Sequence, residues 1–268
     1  MTSASEAIRF SDGAAYERFM GEWSLLVGGS FLEWLAPPPA LRWLDVGCGN
    51  GAFTALLAER LEPLSIAGID PSEQQLAYAR ARPNLREAQL LQADAMELPF
   101  AADAFDSAVM PLVLPFVPAP GQGVAEMARV VRPGGLVSAY IWDLGGGGFP
   151  YQQVREALNA WQIHTPDPPS PEASGLQVME ALWQDAALAE VRTCSIGVER
   201  TFADFAAFWA IVSAGPSVGQ AIRAMQPDQQ QVLQQQVQEL LQTGADGSIT
   251  VSGRANAIAG VVPTPQPC

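Results

Sequence analysis

Residues 44–54 read LDVGCGNGAFT, with Gly47, Gly49 and Gly51 at alternate positions directly behind an apolar run. Glycine enters left-handed backbone conformations without the penalty other residues meet, so three glycines this close together predict an abrupt turn of the chain. Residues 41–46, before the turn, have the length and composition of a short buried strand. After it, Phe53, Leu57 and Leu61 recur at i, i+4 and i+8, the spacing of one helix face. A strand that passes straight into a helix through side-chain-free backbone restricts the chain to α/β architectures. It also leaves space for a ligand to lie against that backbone.

The alternation continues downstream. LSIAGID (64–70) reads as a second strand and SEQQLAYARARP as a second helix, with Ser72 as N-cap and Gln75 at its third position. REAQLLQADAMELPF holds a third strand and a loop, and FDSAVMPLVL (105–114) a fourth strand. GVAEMARVVRPGG reads as a helix stopped at Pro133, and LVSAYIWD (136–143) as a fifth strand. Strands and helices in turn, joined by short links, predict a parallel sheet built from right-handed crossovers. In such sheets ligands bind beyond the carboxyl ends of the strands, where the glycine turn lies.

Before the turn, Phe19, Trp23, Leu26, Val27, Phe31 and Leu35 predict one or two amphipathic helices, interrupted near Gly28 and Gly29. In the second half, residues 177–188 read as a helix, and 191–202 and 247–262 alternate as strands. Two helices are expected between those strands, the glutamine-rich one keeping a stripe of Leu233, Val237, Leu240 and Leu241.

Composition narrows the function. The 14 basic residues are all arginine, which removes Schiff-base chemistry, a lysine nucleophile and the lysine of a phosphate-binding Walker loop. A net charge of −14 speaks against nucleic acid as a partner. The longest apolar stretch is broken by Asp106, Pro111 and Pro115, so no membrane partner is expected. The N-terminal MTSASEAIRFSDG lacks the apolar core of a secretion signal, and Cys48, Cys194 and Cys268 are too far apart in sequence for metal-ligand spacing. A cytoplasmic protein without a metal is the expectation.

Asp70, in GIDPS, ends the second strand. A carboxylate there can accept from both hydroxyls of a ribose, and hydrogen bonds to a charged group contribute about 1.5–3 kcal/mol. Its loss in Asp70→Ala would weaken a nucleoside ligand tenfold or more. Nicotinamide-binding folds use the same acid, so a dehydrogenase shares this feature.

The motifs together resemble the class I S-adenosylmethionine-dependent methyltransferases, most closely the small-molecule branch with the quinone-biosynthesis enzymes. The resemblance covers residues 16–143 clearly, through DVGCGNG, GIDPS, QADAMELPF and RVVRPGG, and runs more loosely to the C-terminus. It implies a Rossmann-like α/β fold: a seven-stranded, mostly parallel sheet with helices on both faces and a helical insertion between the last two strands. One domain is implied, with residues 1–40 as a helical cover, 41–143 as cofactor-binding core and 144–268 as acceptor-side half, the insertion lying at about 203–246.

The resemblance implies S-adenosyl-L-methionine as cofactor. Gly47 and Gly49 would let it approach, with free N–H groups at the helix start facing its carboxylate, Cys48 packed between them and Asp45 orienting its amino group. Asp94 would accept the adenine amine, the Ala95 N–H would reach a ring nitrogen, and Met96 would lie on the ring face; a dehydrogenase leaves this motif idle. Pro71, Gln75 and Met110 are further implied contacts, and Tyr16, Phe19, Met20 and Ser24 would cover the cofactor unless their stripe is simply core.

The implied partner is a small-molecule methyl acceptor. Residues 110–116, 142–149 and 202–209 are apolar and aromatic, which suits a planar or lipophilic molecule. His164, the only histidine, and Asp143 are the candidates for a general base, but neither forms a recognisable catalytic set and no catalytic residue is assigned. A protein that binds the cofactor or its demethylated product as a sensor or scaffold, without transfer, fits the same residues.

Overall fold

Within Arg42–Val46, Trp43 buries into one apolar cluster while Leu44 and Val46 bury into another. Successive strand residues face opposite sides, so two apolar faces mean a sheet covered on both. A computed structural model describes residues 17–264. The strands are β1 (Arg42–Val46), β2 (Ser65–Asp70), β3 (Gln89–Gln92), β4 (Phe105–Pro111), β5 (Val131–Trp142), β6 (Ala189–Phe202) and β7 (Ile249–Val261). They form one sheet in the order β3-β2-β1-β4-β5-β7-β6. All neighbours pair in parallel except β7, which runs antiparallel to both β5 and β6.

The helices are α1 (Glu22–Leu35), α2 (Ala52–Leu61), α3 (Glu73–Arg80), α4 (Pro120–Val130), α5 (Gln152–Ala160), α6 (Leu176–Asp185), α7 (Phe205–Ala214), α8 (Val218–Ala224) and α9 (Pro227–Leu240). Phe31 of α1, Leu57 of α2, Leu158 of α5 and Phe208 of α7 pack with Trp43, Tyr140 and Ala257 on one face. Met127 of α4 and Trp183 of α6 pack with Leu44, Val137 and Ile258 on the other. The expected sheet, its cover on both faces and the insertion before β7 are all present.

Gly28 and Gly29 do not interrupt α1. A Cβ on Gly28 would lie 2.9 Å from the Phe53 ring and 3.1 Å from Leu56, and one on Gly29 would lie 3.2 Å from the Arg60 guanidinium. The glycines let α1 and α2 approach closely, which outweighs their poor helix propensity. Three further boundaries differ from expectation. A five-residue π turn, Glu17–Gly21, precedes α1. The α4 helix ends at Val130, and β5 takes up the next residues, with a register shift between the Phe105 and Ser107 pairings and Gly134 at φ +77°. The insertion holds three helices, because the short α8 separates the two that were expected. The N-cap Ser72 accepts from the Gln75 N–H at 3.3 Å as its spacing predicts.

Strand order reverses at β1: the chain moves outward to β2 and β3, then crosses back to β4 on the other side. The crevice opened by this reversal lies beyond the carboxyl ends of β1 and β4.

Candidate cofactor and acceptor site

A cavity of about 670 Å³ occupies that crevice. Its floor is the glycine turn, where Gly47, Gly49 and Gly51 take φ of +79°, +52° and +78°. Space constrains two of them further. A Cβ on Gly47 would lie 2.5 Å from Val113, and one on Gly51 would lie 2.7 Å from Leu85. A Cβ on Gly49 would meet nothing within 4 Å, although Gly49 lines the cavity. Of the three, Gly49 alone has open space where a side chain would stand.

The turn's N–H groups are largely engaged within the chain. Gly47 and Cys48 donate to the Ile69 carbonyl at 2.8 and 2.9 Å, Gly51 to the Cys48 carbonyl at 2.9 Å, and Ala52 to Asn50 Oδ1 at 3.2 Å. Gly49 donates to Asp70 Oδ2 at 2.9 Å, and Ser72 donates to Asp70 Oδ1 at 2.8 Å. The expected row of free donors is thus replaced by a turn tied to the end of β2. Burial raises the Asp70 carboxyl above its ordinary value, and the Ser72 and Gly49 N–H bonds oppose that rise.

Of the residues expected to touch a cofactor, Phe19, Met20, Gly47, Cys48, Gly49, Asp70, Pro71, Gln75, Asp94 and Ala95 line the cavity. Asp94 is exposed and turns its own loop, accepting the Met96 N–H at 2.8 Å. Four others do not line it. Asp45 is fully buried beneath the turn, where Oδ2 accepts from Thr54 Oγ1 at 2.7 Å. Burial pushes its carboxyl up to about 7. Met110 is fully buried, because its strand position points into the core that holds Val124 and Met127. Ser24 is buried within α1, and Met96 packs against that second core. Tyr16 lies outside the described residues. Cys48 stays a neutral thiol, its pKa well above the ordinary value through burial and the nearby Asp45 and Asp70 charges.

The opposite wall is apolar. Pro111 ends β4 and Leu112, Val113 and Phe116 follow it, while Tyr140 and Trp142 lie at the end of β5 and Leu144 and Phe149 follow it. Two of the three segments expected to meet an acceptor are therefore present. The third is not: Phe202, Phe205 and Phe208 are core, and only Ser217 of the insertion reaches the cavity. Arg155, Thr165, Pro166 and Pro168 complete the wall, and no motif marked them in the sequence.

Neither candidate base serves the cavity. Asp143 pairs with Arg254 at 2.8 Å and accepts the Gly146 N–H at 2.9 Å, closing the loop after β5. His164 is exposed and does not line the cavity. Among the described residues no group of three His, Cys, Asp or Glu side chains is placed to hold a metal ion. No single described helix is long and apolar enough to cross a membrane.

Comparison with known proteins points to a methyltransferase domain. The family model described as a methyltransferase domain matches residues 44–139. The rice 2-methyl-6-phytyl-1,4-hydroquinone methyltransferase 2 is 36% identical over 36% of this chain and 28% of its own length. The malonyl-[acyl-carrier protein] O-methyltransferase of Methylococcus capsulatus is 34% identical over 49% of this chain and 46% of its own. The chain thus spans less than half the length of either relative. Phosphoethanolamine N-methyltransferase 2 of Haemonchus contortus, solved with phosphomonomethylethanolamine and S-adenosylhomocysteine, shares the fold with a TM-score of 0.60. It is 18% identical, over 97% of this chain and 60% of that one. Residues 44–139 thus match a methyltransferase domain, and the glycine turn that floors the cavity lies within that match.

Proposed function

We propose that the protein transfers the methyl group of S-adenosylmethionine to a small, largely apolar acceptor. The observation that carries this reading is continuity: one cavity joins Gly49, Asp70 and Asp94 to the apolar wall beyond β4 and β5. Its 670 Å³ falls within the usual range for small-molecule sites. The relatives support the class of acceptor, since the rice enzyme is named for a phytyl hydroquinone.

The residues present fit the cofactor. Gly49 offers an unobstructed surface, and each Asp70 oxygen keeps a lone pair beyond the one used by Gly49 or Ser72 for a ribose hydroxyl. Asp94 and Ala95, which line the cavity, would take the adenine end, and Phe19 and Met20, which also line it, would cover the cofactor. When bound, the cofactor supplies a methyl group already activated on a sulfonium. The protein's task is then to exclude water and hold the acceptor atom close and in line. With Asp143 committed to Arg254 and His164 in solvent, neither of these two side chains serves as a general base, which favours an acceptor that arrives with its reacting atom unprotonated.

Incubation with methyl-labelled S-adenosylmethionine and a fractionated metabolite extract tests this. Label should appear in an organic-soluble small molecule. Tight binding of S-adenosylhomocysteine with no labelled product in any fraction would instead identify a sensor.

A further inference from the structure

Arg155 is the one basic side chain among the described residues that line the cavity. It stands on the first turn of α5 and also lines a neighbouring cavity of about 310 Å³ that contains Asp167. Its guanidinium pairs with Asp167, and the pair is lopsided: the Arg155 side chain is 19% exposed and that of Asp167 60%. An ion pair with one partner largely in water is weak and replaceable, whereas the withdrawn cation still needs an anion.

The cavity's own carboxylates stand apart from it. Asp70 ends β2 and Asp94 follows β3, on the far side of β1 from β5. The end of β5, which leads into α5, is three strand spacings from β2, roughly 14 Å. On the main cavity's side the wall shared with Arg155 includes Trp142, Leu144, Phe149, Pro166 and Pro168, while the neighbouring cavity it also lines is polar, with Gln152, Asn159, Asp167 and Glu172. In a chain of net charge −14, the one basic side chain lining an otherwise largely apolar cavity wall selects for a negative ligand group. The planar guanidinium, with five donors in a fork, can hold both oxygens of a carboxylate at once.

We infer that the acceptor is an apolar molecule bearing a carboxylate, that Arg155 binds this carboxylate as the specificity-determining residue, and that Asp167 occupies its place in the empty site. This rests on the methyl-transfer reading for the term acceptor, but the anion site can be tested without it.

The test is calorimetric titration of the whole chain with two probe pairs, 2-naphthoate against 2-naphthamide and decanoate against decanamide, with and without saturating S-adenosylhomocysteine. At least one carboxylate should bind ten times more tightly than its amide, or better. Arg155→Gln should abolish that preference and leave S-adenosylhomocysteine affinity unchanged, which also reports a folded protein. Asp167→Asn should strengthen carboxylate binding by removing the competitor. Equal binding of acid and amide in both pairs, no binding of either pair, or a preference that survives Arg155→Gln overturns the inference. Failure of S-adenosylhomocysteine to bind, read in its own titration, overturns the methyl-transfer reading instead.

Discussion

The Tyr151 hydroxyl donates to the Phe19 carbonyl at 2.8 Å and accepts from the Trp23 indole N–H at 3.0 Å. The Phe19 ring stacks on Tyr151 with centroids 4.6 Å apart, and it also meets Gly215, where a Cβ would lie 2.4 Å from the ring. Burial pushes the Tyr151 hydroxyl up to about 12, so it remains a neutral donor throughout the working pH range. Through these contacts the segment before α1 is tied to the loop after β5, and Phe19 and Met20 are held over the cavity.

Tyr151→Phe removes a donor and an acceptor at once and leaves the buried Trp23 N–H without its partner. Unsatisfied buried groups cost about 1–3 kcal/mol each. Chemical denaturation should show a loss of that order, and S-adenosylhomocysteine should bind more weakly as the cover loosens. An unchanged denaturation midpoint and affinity would mean the tie has no energetic role.

The three glycines of the turn should respond differently to alanine. Gly49→Ala places a methyl in open space, so folding loses only the cost of a left-handed alanine, about 1–2 kcal/mol. That methyl enters the cavity, and cofactor affinity should fall more than stability. Gly47→Ala carries the same backbone cost and also drives a methyl to within 2.5 Å of Val113. It should lower the melting temperature the most. Paired melting and binding curves separate the two effects.

These glycines also show how far the sequence can be read. Their spacing announces the turn because φ is a local property. It does not say which glycine faces a ligand, since that depends on Val113 and Leu85, far off in the chain. Gly28 and Gly29 look like a break for the same reason: the Phe53 and Arg60 contacts that favour them are tertiary. Asp70 and Asp94 are legible because each ends or follows a strand in a fixed motif. Met110 and Ser24 are misplaced because their motifs fix position along the chain but not which way the side chain points. Arg155 escapes notice because it sits on a short helix behind a glycine-rich loop, outside every motif.

Asp45 gives a pH signature. Its carboxyl, at about 7 when buried, ionises near the ordinary carboxylate value once the chain unfolds. The folded state therefore holds a proton that the unfolded state releases. The resulting stabilisation is full below about pH 4 and is lost as pH rises through 7. Asp45→Asn cannot titrate, so its melting temperature minus that of the natural protein should increase from pH 4 to pH 8. A constant difference would show that Asp45 is ionised in the folded protein.

The most direct test of the site is calorimetric titration of the natural chain and of Asp70→Ala with S-adenosylhomocysteine. The natural protein should bind it. Loss of charge-assisted hydrogen bonds of about 1.5–3 kcal/mol should weaken the variant at least tenfold. No binding by the natural protein, or the same affinity in both, would contradict a cofactor seated against Gly49 and Asp70.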